Sequence, residues 1–266
     1  MEIVQAPEGD VIAEHGATLA NRVFSVLFLV LPGLGLLFFS LQVDSDARAP
    51  MIVIGLVLAG LGGLAIVQQN KSKVVVRTDG VERWGLRGKL WAVRWQDAVE
   101  LRYRAVKVRL GGLLGLLLPA LTTNVYISLV GPDGKKRTLP GNLKAMDVFS
   151  ERVIEQHTTA HFAAARSKID AGEELRFGKA MVLEKDRVST KKFFGGLKSC
   201  SLPEIEAVSV QGGFLKIRQR GKTFAFASVA TAVVPNVFLL LRLLESMLGQ
   251  KKALKDRDFA SQAFVG

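Results

Sequence analysis

His157 and His161 come closest, by residue type and spacing, to a chemical site. They stand four apart in HTTAH, within a stretch of helical periodicity, so both rings share one helix face and could meet one metal ion. A zinc protease of this pattern needs a glutamate beside the first histidine; threonine stands there, and no third ligand is evident. The pair therefore reads as solvent-facing helix histidines. His15, the remaining histidine, lies near the N-terminus, so no serine or cysteine triad can be assembled around it. Cys200 is the only cysteine, which leaves no intrachain disulfide and no sign of an oxidising compartment. Glycine-rich GLG and GLGG fall inside apolar runs, not between a strand and a helix, so they are not phosphate loops. The expectation is no catalytic residue, no metal, no cofactor and no enzyme.

Charge is the stronger signal. Arg102, Arg104, Lys107 and Arg109 cluster just ahead of a run with no polar side chain, Leu110 to Leu121. GPDGKKR, Gly131 to Arg137, reads as a hairpin turn followed by the cations Lys135, Lys136 and Arg137. That run is either a solvated edge or part of a phosphate-facing surface, and Lys191-Lys192 invites the same two readings. Net charge is +12, yet mean hydropathy is positive, because charged and apolar residues are segregated along the chain. Of the 36 cations only Arg22 and Arg48 fall in the first seventy residues, against six acids, leaving 34 cations and 18 acids beyond.

That acidic, apolar N-terminal part reads as a membrane hairpin. Val23 to Val43 is 21 residues without a charge, enough helix for about 30 Å of bilayer core. Pro32-Gly33 should kink it, which a membrane bundle tolerates. Met51 to Val67, extended by its flanks, makes a second span, and Asp44 to Pro50 a tight polar turn between antiparallel helices. Gly55, Ala59 and Gly63 form a small-residue ridge, either the seat of the first helix or a dimer seam. Lys71, Lys73, Arg77, Arg83 and Arg87 follow the second span, whereas the turn has only Arg48, so the positive-inside rule places both termini in the cytoplasm. No signal peptide is read, because residues 1–21 lack a basic start.

The remainder repeats. Lys73–Arg104 shows short β-rich runs broken by Asp79-Gly80 and Gly85–Gly88, as antiparallel hairpins do. A shift of 107 residues lays Met181–Gln211 on it without a gap: Asp79 on Asp186, Val81 on Val188, Gly88 on Gly195, Trp95 on Leu202, Asp97 on Glu204. Each copy then closes with an amphipathic helix, predicted from Asn142 towards Lys168 and from Asn236 to Gly249. Asn142 and Asn236 read as N-caps. Leu143, Met146, Phe149, Val153 and Ile154 form the first helix's apolar face.

WQDAVEL and LPEIEAV, each between a glycine-broken hairpin and further strands, resemble bacterial pleckstrin-homology-like domains, often preceded by a two-helix membrane hairpin. The resemblance spans residues 71 to about 249. It implies an α+β fold, a transmembrane hairpin followed by two tandem bent β-barrels each capped by a helix, and lipid-headgroup or protein binding rather than catalysis. It carries over no binding residue.

The expected boundaries are a cytoplasmic leader at 1–21, the hairpin at 22–69, domains at 71–170 and 175–249, and a tail at 250–266. Aligning the closing helices at Val148-Phe149 and Val237-Phe238 lowers the offset from 107 to 89, so the first copy holds 18 extra residues, and they fall in the apolar run. With 12 apolar positions broken by Gly111, Gly112, Gly115 and Pro119, it is too short for a third span. It is either a loop packed on protein, or a tip whose Leu113, Leu114, Leu116, Leu117 and Leu118 enter the bilayer above the preceding cations.

The function expected is a non-enzymatic inner-membrane protein that binds anionic lipid or scaffolds a partner. The alternative is a subunit of a larger homo- or hetero-oligomeric membrane assembly, with the apolar loop and glycine ridge as its interfaces. Nucleic acid is not expected, because only two tyrosines exist and Trp84, Trp91 and Trp95 fall in strands as core.

Overall fold

Two apolar helices lie between the first strand and the second. The computed structural model describes residues 7–43, 45–107, 123–141, 143–191 and 196–249. The apolar run and its five leucines, Arg109, Asn142, Lys192 and the tail lie outside them. Two units are distinct in the chain. One holds Pro7–Ala92 with Asn142–Ala145; the other holds Val93–Gly141 and the chain from Met146 onward.

In the first unit, β1 (Val11–Gly16), β2 (Lys73–Arg77), β3 (Gly80–Gly85) and β4 (Gly88–Arg94) form an antiparallel sheet in that order. Within the expected cytoplasmic leader, residues 1–21, β1 joins this sheet: Gly16 pairs with Lys73, His15 with Val74 and Glu14 with Val75. Val74, Val75 and Val76 are all buried, so β2 is covered on both faces, which suits its β-branched run.

Between β1 and β2 the chain forms α1 (Leu19–Ser25), a π-helical stretch Val26–Val30, α2 (Leu31–Ser40) and α3 (Ser45–Lys71). Arg22–Ser40 and Asp46–Lys71 are each long and apolar enough to cross a membrane. The π-helical stretch immediately precedes Pro32, whose ring and missing N–H disturb a regular α-turn. The expected turn 44–50 is shorter in the structure, because α3 already begins at Ser45 and carries Pro50 within it. Arg48 reaches back from α3 to donate to the carbonyls of Ser40 and Val43, at 3.1 and 3.3 Å, capping the end of the first helix.

The second unit holds a three-stranded antiparallel sheet, β5 (Glu100–Lys107), β6 (Thr123–Val130) and β7 (Lys136–Thr138), then α4 (Met146–Asp170). β8 (Leu175–Phe177), β9 (Met181–Leu183), β10 (Arg187–Lys191) and β11 (Leu197–Ser201) follow as a second four-stranded meander. β12 (Ile205–Gln211), β13 (Phe214–Gln219) and β14 (Ala225–Ala230) make a second three-stranded sheet, and α5 (Val237–Leu248) closes the chain. Four strands, three strands and a helix thus occur twice in the same order, with β2–β3 and β9–β10 near the expected offset.

The architecture is α+β, but the expected barrels do not close: the strands form four separate sheets among the described residues. Leu183, Val188, Ile205, Leu215 and Ile217 from the later sheets pack with Leu240, Leu243 and Leu244 of α5 into one core. Each such side chain contributes roughly 1.5–3 kcal/mol of burial.

Candidate functional site

One face of the β5–β6–β7 sheet gathers three of the seven expected cations. Arg102 pairs with Ser128, and Ser128 with Thr138; Glu100 pairs with Val130, and Val130 with Lys136. Side chains alternate across a strand, so Arg102, Arg104 and Lys136 share one face while Leu101, Tyr103, Ile127 and Leu129 fill the other. Tyr126 stands exposed between them, and the hydroxyls of Ser128 and Thr138 lie 3.2 Å apart. Arg102 is held by Glu100 at 2.7 Å. Lys107 belongs to β5, but its side chain lies outside the described residues.

Arg137 is not part of this face. It forks onto Asp133, with Nη1 to Oδ1 at 3.0 Å and Nη2 to Oδ2 at 2.8 Å. The hydrogen bond from Arg137 holds the Asp133 carboxyl below its ordinary value. The expected hairpin turn is present, with Gly134 at φ +69°, where a side chain would strain the backbone. Arg137 therefore staples that turn, while Lys135 and Lys136 remain exposed.

The histidines are not solvent-facing, which corrects the expectation. His157 is 1% exposed, and its Nε2 lies 2.9 Å from the carbonyl oxygen of Ala98. His161 Nε2 lies 2.8 Å from the carbonyl of Trp95, and the two rings are 4.6 Å apart. A carbonyl only accepts, so both Nε2 atoms carry protons and bind the β4–β5 turn rather than a metal. Burial, then the neighbouring His161, lowers His157 to about 4. Helical spacing foretold the shared face but not what it would meet.

Asn236 sits at the start of α5 with φ +54°, yet its side chain caps nothing there. Its Oδ1 accepts from the N–H of Leu101 at 2.6 Å and its Nδ2 donates to the carbonyl of Val99 at 2.9 Å. The amide thereby pairs with the edge of β5 as a strand residue would, which is why it is unavailable as a cap. Phe238, in the first turn of the same helix, meets Tyr103 edge-on at 5.2 Å.

Glu82 was missed. It is 1% exposed, bound by Lys89 Nζ at 2.7 Å and by Trp84 Nε1 at 3.1 Å, with Arg77 Nε 3.7 Å away. Burial pushes its carboxyl up, but the Lys89 and Trp84 hydrogen bonds and the two cations outweigh this and leave it below the usual value. A carboxylate at the middle of a valine-rich hairpin was the available signal. Trp95 is core as expected, whereas Trp84 and Trp91 are only half-buried. Cys200 is buried, and burial and then Glu204 push its thiol up, making it a poor nucleophile.

In the helical hairpin, a Cβ on Gly33 would stand 2.6 Å from the backbone nitrogen of Ala59 and 2.8 Å from the carbonyl oxygen of Gly55. Gly55 and Ala59 therefore seat the first helix. Gly63 does not join them, since a Cβ there meets nothing within 4 Å; Gly62 takes its place, against Leu29 and Val30. Three steps from Ala59, not four, keep the ridge in line here. Gln69 Nε2 donates to Ser25 Oγ at 2.9 Å, tying the open end of the hairpin.

These features define an α+β protein whose paired helices of membrane-span length interrupt its first sheet. The chain belongs to DUF6585, a family of unknown function, whose model matches residues 6–253. No curated protein matches the chain.

Proposed function

We propose that the protein is a non-enzymatic inner-membrane protein whose cytoplasmic part, a tandem of pleckstrin-homology-like domains over 71–170, joined by β1, and 175–249, binds anionic lipid headgroups. What carries the reading is the insertion of both span-length helices between β1 and β2. Because Gly16 pairs with Lys73, the helices leave and re-enter the sheet at one edge, so a hairpin crossing a bilayer keeps the strands before and after it on one side. The four-strand, three-strand and helix order, occurring twice, supports the pleckstrin-homology-like assignment. The excess of cations beyond residue 70 favours the cytoplasmic side.

Arg102, Arg104 and Lys136 on one sheet face are the headgroup contacts, with Lys107, Arg109 and Lys135 close to them in sequence. Each cation near an anionic surface contributes on the order of 1 kcal/mol. The test is native mass spectrometry of the full chain released from nanodiscs containing phosphatidylcholine and phosphatidylglycerol. Retained lipid should be enriched in phosphatidylglycerol, and Arg102→Glu with Arg104→Glu and Lys136→Glu should remove the enrichment. Equal retention of both lipids by the parent overturns the reading.

A second reading, a subunit of a larger membrane assembly, is favoured by Gly60 and Gly63, which both open away from the first helix. A helix from another chain fits such a surface. Under it, a thiol at Gly63 should form a disulfide-linked dimer, or cross-link a partner, in native membranes.

A further inference from the structure

The β3–β4 hairpin turn lies at the membrane end of its own sheet. α3 ends at Lys71, and β2 begins two residues later at Lys73, which pairs with Trp84 of β3. Strands β2 and β3 are antiparallel, so continuing forward from Trp84 to Leu86 covers the same rise as stepping back from Lys73 to Lys71. Leu86 and Arg87 therefore reach the level of the last residue of the second apolar helix, about 7 Å past Trp84. α3 and β3 are also direct neighbours in the fold.

The turn carries the chemistry that such a level demands. Leu86 is 39% and Leu90 55% exposed, and Leu90 lies across Gly85 at the root of the turn. An isolated exposed leucine means little, but Leu86 stands on the turn and Leu90, from β4, lays its side chain over Gly85 just before it, so the two form an apolar tip on the hairpin. Trp84, two residues before Leu86, is half-buried, its ring 6.0 Å from Lys73 Nζ and 5.5 Å from Lys89 Nζ. Lys73 and Lys89 are balanced by Glu14 and Glu82. Lys71 and Arg87 are exposed and make no ion pair among the described residues, leaving net positive charge at that level.

We propose that the Leu86–Arg87 turn, with Leu90, seats in the headgroup and upper acyl region of an anionic bilayer, with Lys71 and Arg87 at phosphate level. This rests on the membrane-hairpin part of the function proposed above and names a contact distinct from the β5–β7 face. The turn would thus be a third attachment point beside the two helices, fixing the tilt of the first sheet on the bilayer.

The experiment uses the full chain in phosphatidylglycerol-containing nanodiscs, with an environment-sensitive fluorophore on single thiols introduced by Leu86→Cys, Leu90→Cys, Thr78→Cys or Leu34→Cys. Native Cys200 is buried, and the unsubstituted chain, labelled in parallel, sets the background. Lipids carrying a nitroxide at shallow or deep chain positions serve as quenchers. The expected result is severalfold stronger quenching by shallow lipid at positions 86 and 90 than at 78, which closes the opposite end of the sheet. Position 34, within α2, should respond most to the deep quencher. If position 34 is quenched but 86 and 90 behave as 78 does, the turn is in water and the proposal is overturned. If position 34 is unquenched as well, the membrane hairpin itself is wrong.

Discussion

Asn236 bonds to β5 at two points, accepting from the N–H of Leu101 and donating to the carbonyl of Val99. Its own N–H donates to the carbonyl of Leu101 at 2.8 Å, so one residue satisfies three polar groups on a sheet edge. Its positive φ is one that asparagine tolerates better than most residues. Asn236→Ala removes both side-chain bonds and adds backbone strain, and should cost roughly 1–3 kcal/mol. Asn236→Gly relieves the strain alone. If the bonds dominate, both variants will lower the unfolding temperature similarly. A glycine variant as stable as the parent would assign the effect to strain.

The buried histidine makes stability depend on pH in one direction. His157 is depressed to about 4 in the folded chain from an ordinary 6.5. The unfolded chain takes up its proton first as pH falls, so the stability present above about 6.5 is lost progressively down to about 4. The loss attributable to this group is on the order of 3 kcal/mol. His157→Gln retains an amide donor for Ala98 and should flatten the acid limb of a melting-temperature profile. An unchanged acid limb would show that His157 does not carry it.

The helix interface offers a contrast between neighbouring glycines. Gly33→Ala drives a methyl into the backbone of α3 and should cost about 1–3 kcal/mol of hairpin stability in detergent. Gly63→Ala enters open space and should be silent in the monomer. Thermal unfolding of the two variants side by side separates these outcomes, and a damaging Gly63→Ala would point to a second chain on that face.

Legibility in the sequence followed the range of the signal. The apolar helices were readable because each is a continuous run, and the first hairpins because Asp79-Gly80 and Gly85–Gly88 break the β-rich runs at their turns. β1 was not, since VIAEHG is short, carries a charge, and meets its partner only after 56 intervening residues, from Ala17 to Ser72. Gly63 does not seat the first helix, because a four-residue step drifts around a 3.6-residue helix and Gly62 restores the phase; the dimer-seam alternative is what remains for it. The histidine pair was placed on the correct element but against the wrong medium, because periodicity gives a face and not its partner. Arg102, Arg104 and Lys136 were chosen by charge, yet their common face follows from β5 and β7 flanking β6, a register no local pattern contains.

Topology is testable with positions that flank the helices. The cation asymmetry predicts that a thiol at Gln42, between the helices, is labelled by an impermeant reagent from the periplasm, and that one at Thr78 is protected in intact cells. Equal labelling of both would contradict a two-span hairpin, and the reverse pattern would invert it.

The inserted hairpin predicts how a soluble form must be made. A fragment beginning at Lys71 lacks β1 and so exposes the outer edge of β2, with Val74, Val75 and Val76 losing their cover from that strand. Open, apolar strand edges pair with other chains, so this fragment should aggregate. Gly16 and Lys73 are direct partners across the sheet, a separation that a two-residue turn can bridge. Replacing residues 17–72 with Asn-Gly should therefore join β1 to β2 as an ordinary hairpin and yield a soluble chain. Amides of β2 should then be protected from hydrogen exchange. If the fragment from Lys71 is equally soluble and equally protected, β1 is dispensable, and the insertion of the two apolar helices within the first sheet has no structural weight.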